Sequence, residues 1–509
     1  MDPVDATPPR DSVGLAADAH SVAPLLNCLL REVAEPVGPG TSGVHRLRAS
    51  GRLLRVRGTR RPTDPEVRTA GTWHPLTHTE LVKLAAEELR AFTGLSNSEL
   101  PAEMLDSREA VAAFLAARAD APVPRDPYRR SEQSLITGHP HHPAPKARGG
   151  GPAAGWLPYA PEAYARFPLA LLGVREDTVV EEGDTTALDT LAAAPPGYRL
   201  LPAHPWQLDL LGGELSAAFA DGRLLRLGRT AGEAWPTAAI RTVHVPEVLS
   251  GSALARDLFL KFSLDVRITN DVRRLWRHDL LGLRRTDRAV TEAFAGLPGA
   301  WLSDRGYRTA DFAFEELAVV VRDGLGGHLA PGTTPLLSAA LTEDTAAFPD
   351  NPLARTTDPE AWWEGYLRAV VPPALGAFHD HGVVLEAHLQ NTLIACDASG
   401  LPVQAVYRDA EGVKLLPDVS REAGWERLVY CLLVNNLLEI AAAVAEHHPG
   451  VDLWAAVRRE LARHDDVPEA AALLGSLTLP GKTNLLLRWT GADGADARYL
   501  PLPNPLTAG

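Results

Sequence analysis

Cysteine is scarce in this chain: Cys28, Cys396 and Cys431 are the only three in 509 residues. Thiols so few and so far apart exclude a disulfide framework and a Cys-based zinc site, and they fit a reducing compartment as small buried hydrophobes. No HExxH or paired CxxC occurs, so a dedicated zinc centre is not expected, and no GxSxG elbow occurs, which excludes α/β-hydrolase chemistry. Positive charge is also in deficit. With 64 acidic against 50 basic residues the net charge is −14, the wrong sign for a nucleic-acid binder but suited to steering a cationic, polyamine-like molecule. Residues 1–14 hold acids and prolines where a signal peptide needs a basic region and an apolar run. The expectation is a cytoplasmic protein whose first residues, to about 18, are mobile.

What the chain does have is length and ordinary globular composition: 45% apolar and 22% charged residues, enough for two to four domains with full cores. It shows no internal repeat and no low-complexity block. Apolar spacing predicts helices over 22–33, over 79–92 with a Thr cap at its start, and over 107–119, with a strand or hairpin over 47–61. A Pro/Arg-rich stretch at 122–130 ends a mostly helical first domain, residues 1–130. Residues 131–336 read as a sheet-bearing domain with strands over 171–180, 198–202, 223–229, 238–245 and 258–269. Within it 176–184 is a solvated acidic turn, and 311–321 is a helix leading out of the sheet. Residues 337–509 read as mostly helical, over 362–379, 425–447, 453–463 and 469–475. The 425–447 helix is apolar enough to cross a membrane, but Asn435, Asn436 and Glu439 interrupt it, so a buried core helix is expected.

Residues 138–150 read GHPHHPAPKARGG, where prolines and glycines resist a helix and favour an exposed loop. His139, His142, Lys146 and Arg148 on that loop could neutralise a polyphosphate. A solvated basic loop and a histidine metal site are the alternatives. Residues 475–483, GSLTLPGKT, imitate a phosphate loop but carry five residues between their glycines, including Pro480, and the following NLLLRW reads as a strand. The motif needs four residues and a helix there.

Three further stretches carry polar residues in patterned positions. PTAAIRTVHVP (236–246) sets Arg241 and Thr242 on a strand, where a surface Arg is the plainer reading. In KFSLDVRITNDVR (261–273), Lys261, Ser263, Asp265 and Arg267 share one parity and Phe262, Leu264, Val266 and Ile268 the other, so Lys261 would face a cleft. EAHLQN (386–391) presents Glu386, His388 and Gln390 on one side of an extended segment, costly to bury without partners. Asn391 and, in RDAEG, Asp409 add an oxygen pair suited to Mg²⁺.

Together with HPWQ (204–207) and the terminal NPL (504–506), these motifs resemble, from about residue 130 onward, the siderophore synthetases that work without a nonribosomal peptide template, the family of the aerobactin synthetases. The resemblance implies an α+β, hand-like architecture with a helical thumb, sheet-bearing fingers and a helical palm ending in an FhuF-like segment. It implies an ATP- and Mg²⁺-dependent ligase that adenylates a citrate-class carboxylate and joins it to an amine or alcohol, with release of AMP and pyrophosphate, in iron acquisition. It places Arg241, Thr242 and Lys261 on the ATP phosphates, and Thr269 and Arg273 at the substrate carboxylate. His388 and Gln390 lie at the carboxylate and the phosphates, and His388 could take a proton from the amine. Glu386, Asn391 and Asp409 surround the metal, with Asn391 also at the nucleotide. The family commonly has Ser where this chain has Ala239. It implies small-molecule partners and a homodimer, with neither nucleic acid nor membrane. Oligomerising synthetases of succinyl-hydroxamate diamines, a kinase and a catalytically lapsed relative are the alternatives.

Overall fold

The structure is a computed structural model that describes residues 10–38, 42–246, 257–492 and 499–507; the expectation for the first nine residues lies outside it. Helix Arg10–Glu32 begins well before residue 18, so the mobile terminus expected there is corrected from residue 10 on. Five short antiparallel strands follow in chain order between residues 34 and 75, a whole sheet where only one hairpin was expected. Helix His78–Thr93 is capped not by Thr79 but by Thr77, in a reciprocal box with Glu80, which satisfies two free backbone donors at once. Helix Glu99–Asp120 completes this part.

The middle of the chain builds two antiparallel sheets. One has six strands, in the order Trp235–Pro236, Thr242–Val245, Leu258–Phe262, Val319–Asp323, Asp304–Ala310 and Val179–Gly183. The other has three, Tyr198–Ala203, Ala170–Arg175 and Leu224–Arg229. Leu171, Leu201, Leu224, Val243, Leu260, Val319 and Val321 fill one core between them. The helix expected over 311–321 is instead a turn running into strand Val319–Asp323, where three consecutive valines favour a pleated strand. The single strand expected over 258–269 breaks at Ser263, whose hydroxyl donates to the Glu315 carbonyl and accepts from Leu275 N at 2.9 Å. Beyond the break Leu264–Ile268 and Asp271–Arg273 form a hairpin.

Further on, a four-stranded sheet (Ala300–Leu302, Pro402–Arg408, Thr392–Cys396, Thr334–Leu337) packs on helix Pro359–His381. The apolar helix runs over Arg421–His447 and 78% of its most apolar window is buried. Its middle, Tyr430–Leu437, winds as a π-helix. The NLLLRW segment is not a strand: it is helix Asn484–Thr490. Leu485 and Trp489, one turn apart, enter the N-terminal core beside Leu25, Leu29 and Leu81, and the helical spacing of these two residues decides the conformation.

Candidate active site

The site begins on the six-stranded sheet, where Thr242 and Lys261 are direct cross-strand partners. Lys261 is not an exposed cleft cation: it is 3% exposed, its ammonium on Asp409 and, at 2.6 Å, on Glu411. Asp409 ends strand Pro402–Arg408 with a left-handed φ of 83°, and the turn Ala410–Gly412 that follows carries Glu411. Arg241 reaches Glu411 at 3.1 Å and the carbonyl oxygens of Arg273 and Arg274 at 3.1 and 3.3 Å. Arg322 spans Asp304 at 2.6 Å and Asp409 at 3.0 Å. Burial pushes both carboxyls up, yet Lys261 and Arg322 hold Asp409 far below the usual range, and Arg241 and Lys261 hold Glu411 at about 2. Three cations therefore face three carboxylates, and their charge keeps Asp409 and Glu411 ionised. Ile240 and Thr269, like Asp409, adopt positive φ, 59° and 62°. Such non-glycine residues persist only where the surroundings enforce them, which is commonly at sites of function.

Arg273 differs from these. Its guanidinium donates to the Ile268 carbonyl at 2.6 Å and to the Thr269 hydroxyl. Burial and the neighbouring Arg241 lower its pKa, and no carboxylate among the described residues pairs with it.

The 138–150 loop is irregular, as its prolines require, but residues 142–148 are buried rather than exposed. Lys146 and Arg148, at 5% and 4% exposure, both hold Glu162 Oε1, at 2.5 and 2.9 Å. These two cations are neutralised by a carboxylate that loop spacing alone could not reveal. The histidines turn the other way. His388 acts electrostatically on His139, and Arg273 on His142. Burial drives His139 down to about 3 and His142 well below its ordinary value, and it lowers His388 as well, so all three rings are uncharged. Each Nδ1 accepts a backbone N–H from two residues on: His141 N at 3.0 Å, Ala144 N at 3.1 Å and Gln390 N at 3.2 Å. That bond assigns the remaining proton to Nε2. His388 is thus a donor at Nε2, and the base role drawn from the sequence is corrected.

The 386–391 segment is a turn, not an extended strand, beyond Val383–Val384. The π-helix shapes it. Asn436 Nδ2 donates to Ala387 O at 2.8 Å, Leu389 N to Asn435 O at 3.2 Å, and Arg408 to Gln390 O at 2.8 Å. Glu386 pairs with Arg427, and a Cβ at Gly412 would fall 1.8 Å from Glu386 Oε2, so a larger residue at the end of RDAEG would displace that carboxylate. Lys482 lies within electrostatic reach of Glu386, Arg427 and Asp271, its pKa lowered by burial. The expected metal set does not close. Glu386 is held by Arg427 and Asp409 by Lys261 and Arg322, and among the described residues no three of His, Cys, Asp and Glu gather to hold a metal. Asn391 stands beside Arg408, whose N–H donates to Asn391 O at 3.2 Å.

Sequence reasoning missed Glu411, Arg322, Arg427 and Lys482. Glu411 stood inside RDAEG, two residues from Asp409. Lys482 stood in the GKT of the rejected phosphate-loop stretch, and Arg322 and Arg427 carried no local signal, because their partners lie far off in the chain.

This fold, with a charged seam between a sheet-bearing and a helical part, is that of the siderophore synthetases. The solved ATP-bound aerobactin synthetase IucA from a hypervirulent pathotype of Klebsiella pneumoniae superposes with a TM-score of 0.79 at 22% identity, over 96% of this chain and 99% of that one. Residues 127–343 match the IucA / IucC family model, and residues 360–497 match the ferric iron reductase FhuF-like transporter model. Residues 127–343 are thus an IucA / IucC family segment. The chain is 28% identical to the L-2,3-diaminopropanoate–citrate ligase of Staphylococcus aureus (strain NCTC 8325 / PS 47), over 75% of each chain. It is 29% identical to the rhizobactin siderophore biosynthesis protein RhbC of Rhizobium meliloti (strain 1021), over 74% of this chain and 75% of that one.

Proposed function

We propose that this protein is an ATP-dependent ligase of siderophore biosynthesis. It adenylates a citrate-class carboxylate and joins it to an amine or alcohol, with release of AMP and pyrophosphate. The observation that carries the reading is a set of cationic donors left without a paired carboxylate or a hydrogen-bond acceptor. Among the described residues no carboxylate forms an ion pair with Arg273 or Lys482, and the buried Arg427 Nε has no hydrogen-bond partner. Buried donors left unsatisfied are rare and call for an acceptor, and a polyanion supplies many. Relatives whose names specify citrate make that carboxylate the first candidate.

In this reading Arg273, with Thr269 and the Nε2–H of His388, holds the substrate carboxylate. Lys261, Arg241 and Thr242 line the phosphates, with His139, His142 and Gln390 as neutral donors. The carboxylate oxygen attacks the α-phosphorus and pyrophosphate leaves; the amine or hydroxyl then attacks the acyl carbon and AMP leaves. The protein's part is positioning and charge stabilisation, not covalent catalysis. Asp409 and Glu411, which stay ionised, and Asn391 beside that turn are the oxygen donors that could hold a hard cation entering with the nucleotide, once Lys261, Arg241 and Arg322 give up the two carboxylates. Mg²⁺ there would neutralise phosphate charge. Glu386 could join only by releasing Arg427. We further propose a homodimer in the cytoplasm, which is what the family resemblance of the sequence implies.

The test is pyrophosphate release from ATP and Mg²⁺ across citrate, 2-oxoglutarate and succinylated hydroxamate diamines, each with an amine panel. AMP as co-product with citrate is expected. ADP in place of AMP would establish a kinase, and nucleotide binding without turnover on any donor would leave the ligase reading without support.

A further inference from the structure

We propose that Asn484 is a positioning residue that sets the spacing between the two loops facing the substrate. The proposal rests on the reading of the site given above. Asn484 is 2% exposed and bonds to both loops with one amide. Its Nδ2 donates to His141 O at 2.7 Å, and its Oδ1 accepts from Asn270 Nδ2 at 3.1 Å. A carbonyl oxygen only accepts, so the orientation of the amide is fixed.

Both contacts fall at sensitive points. His141 O lies on the short stretch between His139 and His142. Asn270 forms, with Thr269, the two-residue turn joining Leu264–Ile268 to Asp271–Arg273, and that turn receives the Arg273 guanidinium. The Asn270 side chain also faces the His142 ring, so this junction ties the hairpin turn to the histidine loop.

Asn484 itself is held firmly. It is the first residue of a helix whose next two N–H groups donate to Glu32, at 2.9 and 2.8 Å. Arg488 pairs with Glu103 at 2.6 Å, and Trp489 Nε1 donates to Thr93 at 3.0 Å. The N-terminal core thus acts as a fixed post, and Asn484 transmits its position to Arg273 and to the two imidazoles. A site displaced by an ångström loses rate without losing fold.

The experiment compares Asn484→Ala, Asn270→Ala and the double variant. In wild type the backbone amides of His139, His141, His142 and 268–272 are expected to exchange hydrogen slowly. Asn484→Ala is expected to accelerate both segments together and Asn270→Ala only the second. In turnover, each single variant is expected to lose at least tenfold in kcat/KM for the carboxylate, and Asn484→Ala, which also releases the loop of His139 and His142, to raise KM for ATP more than Asn270→Ala does. The double variant should be no worse than Asn484→Ala, because the two residues act through one bond. Unchanged exchange in both segments, or a lower Tm with kcat/KM per folded molecule unaltered, would overturn the proposal. If Asn484→Ala does not fold, Asn270→Ala alone decides, by the same two readouts. A wild type silent on every carboxylate would count against the ligase reading, and exchange would still decide the role of Asn484.

Discussion

At the scale of single residues, pairing separates Lys261 from Arg273 although both look alike in sequence. Lys261 neutralises two ionised carboxylates, so Lys261→Ala leaves Asp409 and Glu411 crowded with only Arg241 and Arg322 to balance them. Removing one partner of a buried ion cluster costs about 3 kcal/mol or more, so this variant is expected to lose both turnover and melting temperature. Arg273 balances no carboxylate, and Arg273→Ala is expected to abolish most turnover while melting within a few degrees of wild type. Pyrophosphate release and thermal melting on the two variants check the contrast, and an equal loss of stability in both would refute it. The histidines give a second expectation. His139 at about 3 and His142, held well below its ordinary value by burial, remain neutral at neutral pH, so neither should put a step into kcat/KM near pH 6.5. A step near 6.5 that vanishes in His139→Gln would contradict the tautomers assigned above. The sequence made Arg273, Lys261 and Asp409 legible because each sat in a long motif. It could not show Glu162, which takes Lys146 and Arg148 out of play, because ion pairing is a fact of three dimensions.

At the scale of elements, the sequence was clear wherever periodicity was strong and failed where a segment was short. Helices over 359–381 and 421–447 stood out by their apolar content. The segment 484–490 read as a strand because three leucines in a row carry no period, and only docking on Leu25, Leu29 and Leu81 selects the helix. Asn435 and Asn436 were noticed for interrupting an apolar run. Their work is to fix the turn that carries His388, from a π-helical segment of the kind that often marks a functional site. The C-terminal helix also depends on one titratable group. Burial raises Glu32 to about 7 against the bonds from Leu485 and Leu486 and the charge of Arg31, all of which favour ionisation. A carboxyl raised in the folded state stabilises fully below its ordinary value of 4.5, and that contribution fades as pH climbs through about 7, a change on the order of 3 kcal/mol. Melting curves of wild type and Glu32→Gln between pH 5 and 8 should therefore shift steadily in favour of the variant as pH rises. A constant gap would mean that Glu32 titrates normally.

At the scale of the whole molecule, the chain closes on itself. Helix Asn484–Thr490 fills the core laid down by residues 22–104, and Arg60 of the N-terminal sheet donates to Thr342 O at 2.9 Å. Arg118 reaches Ala347 O at 2.8 Å, and Tyr128 packs into the large core that ends at Leu506. Sequence texture suggested three successive domains, but texture reports composition along the chain and is blind to a terminal helix that returns across some 400 residues. Because each end of the chain completes the other's packing, the N-terminal part is not expected to unfold on its own. Trp489 is 3% exposed, and truncating a buried Trp to Ala costs about 3–5 kcal/mol. In a molecule joined this way that loss is shared: calorimetry of Trp489→Ala should show a single transition moved to lower temperature. An early separate transition confined to the N-terminal part, with the remainder melting where wild type does, would show that the closing helix does not couple the two ends.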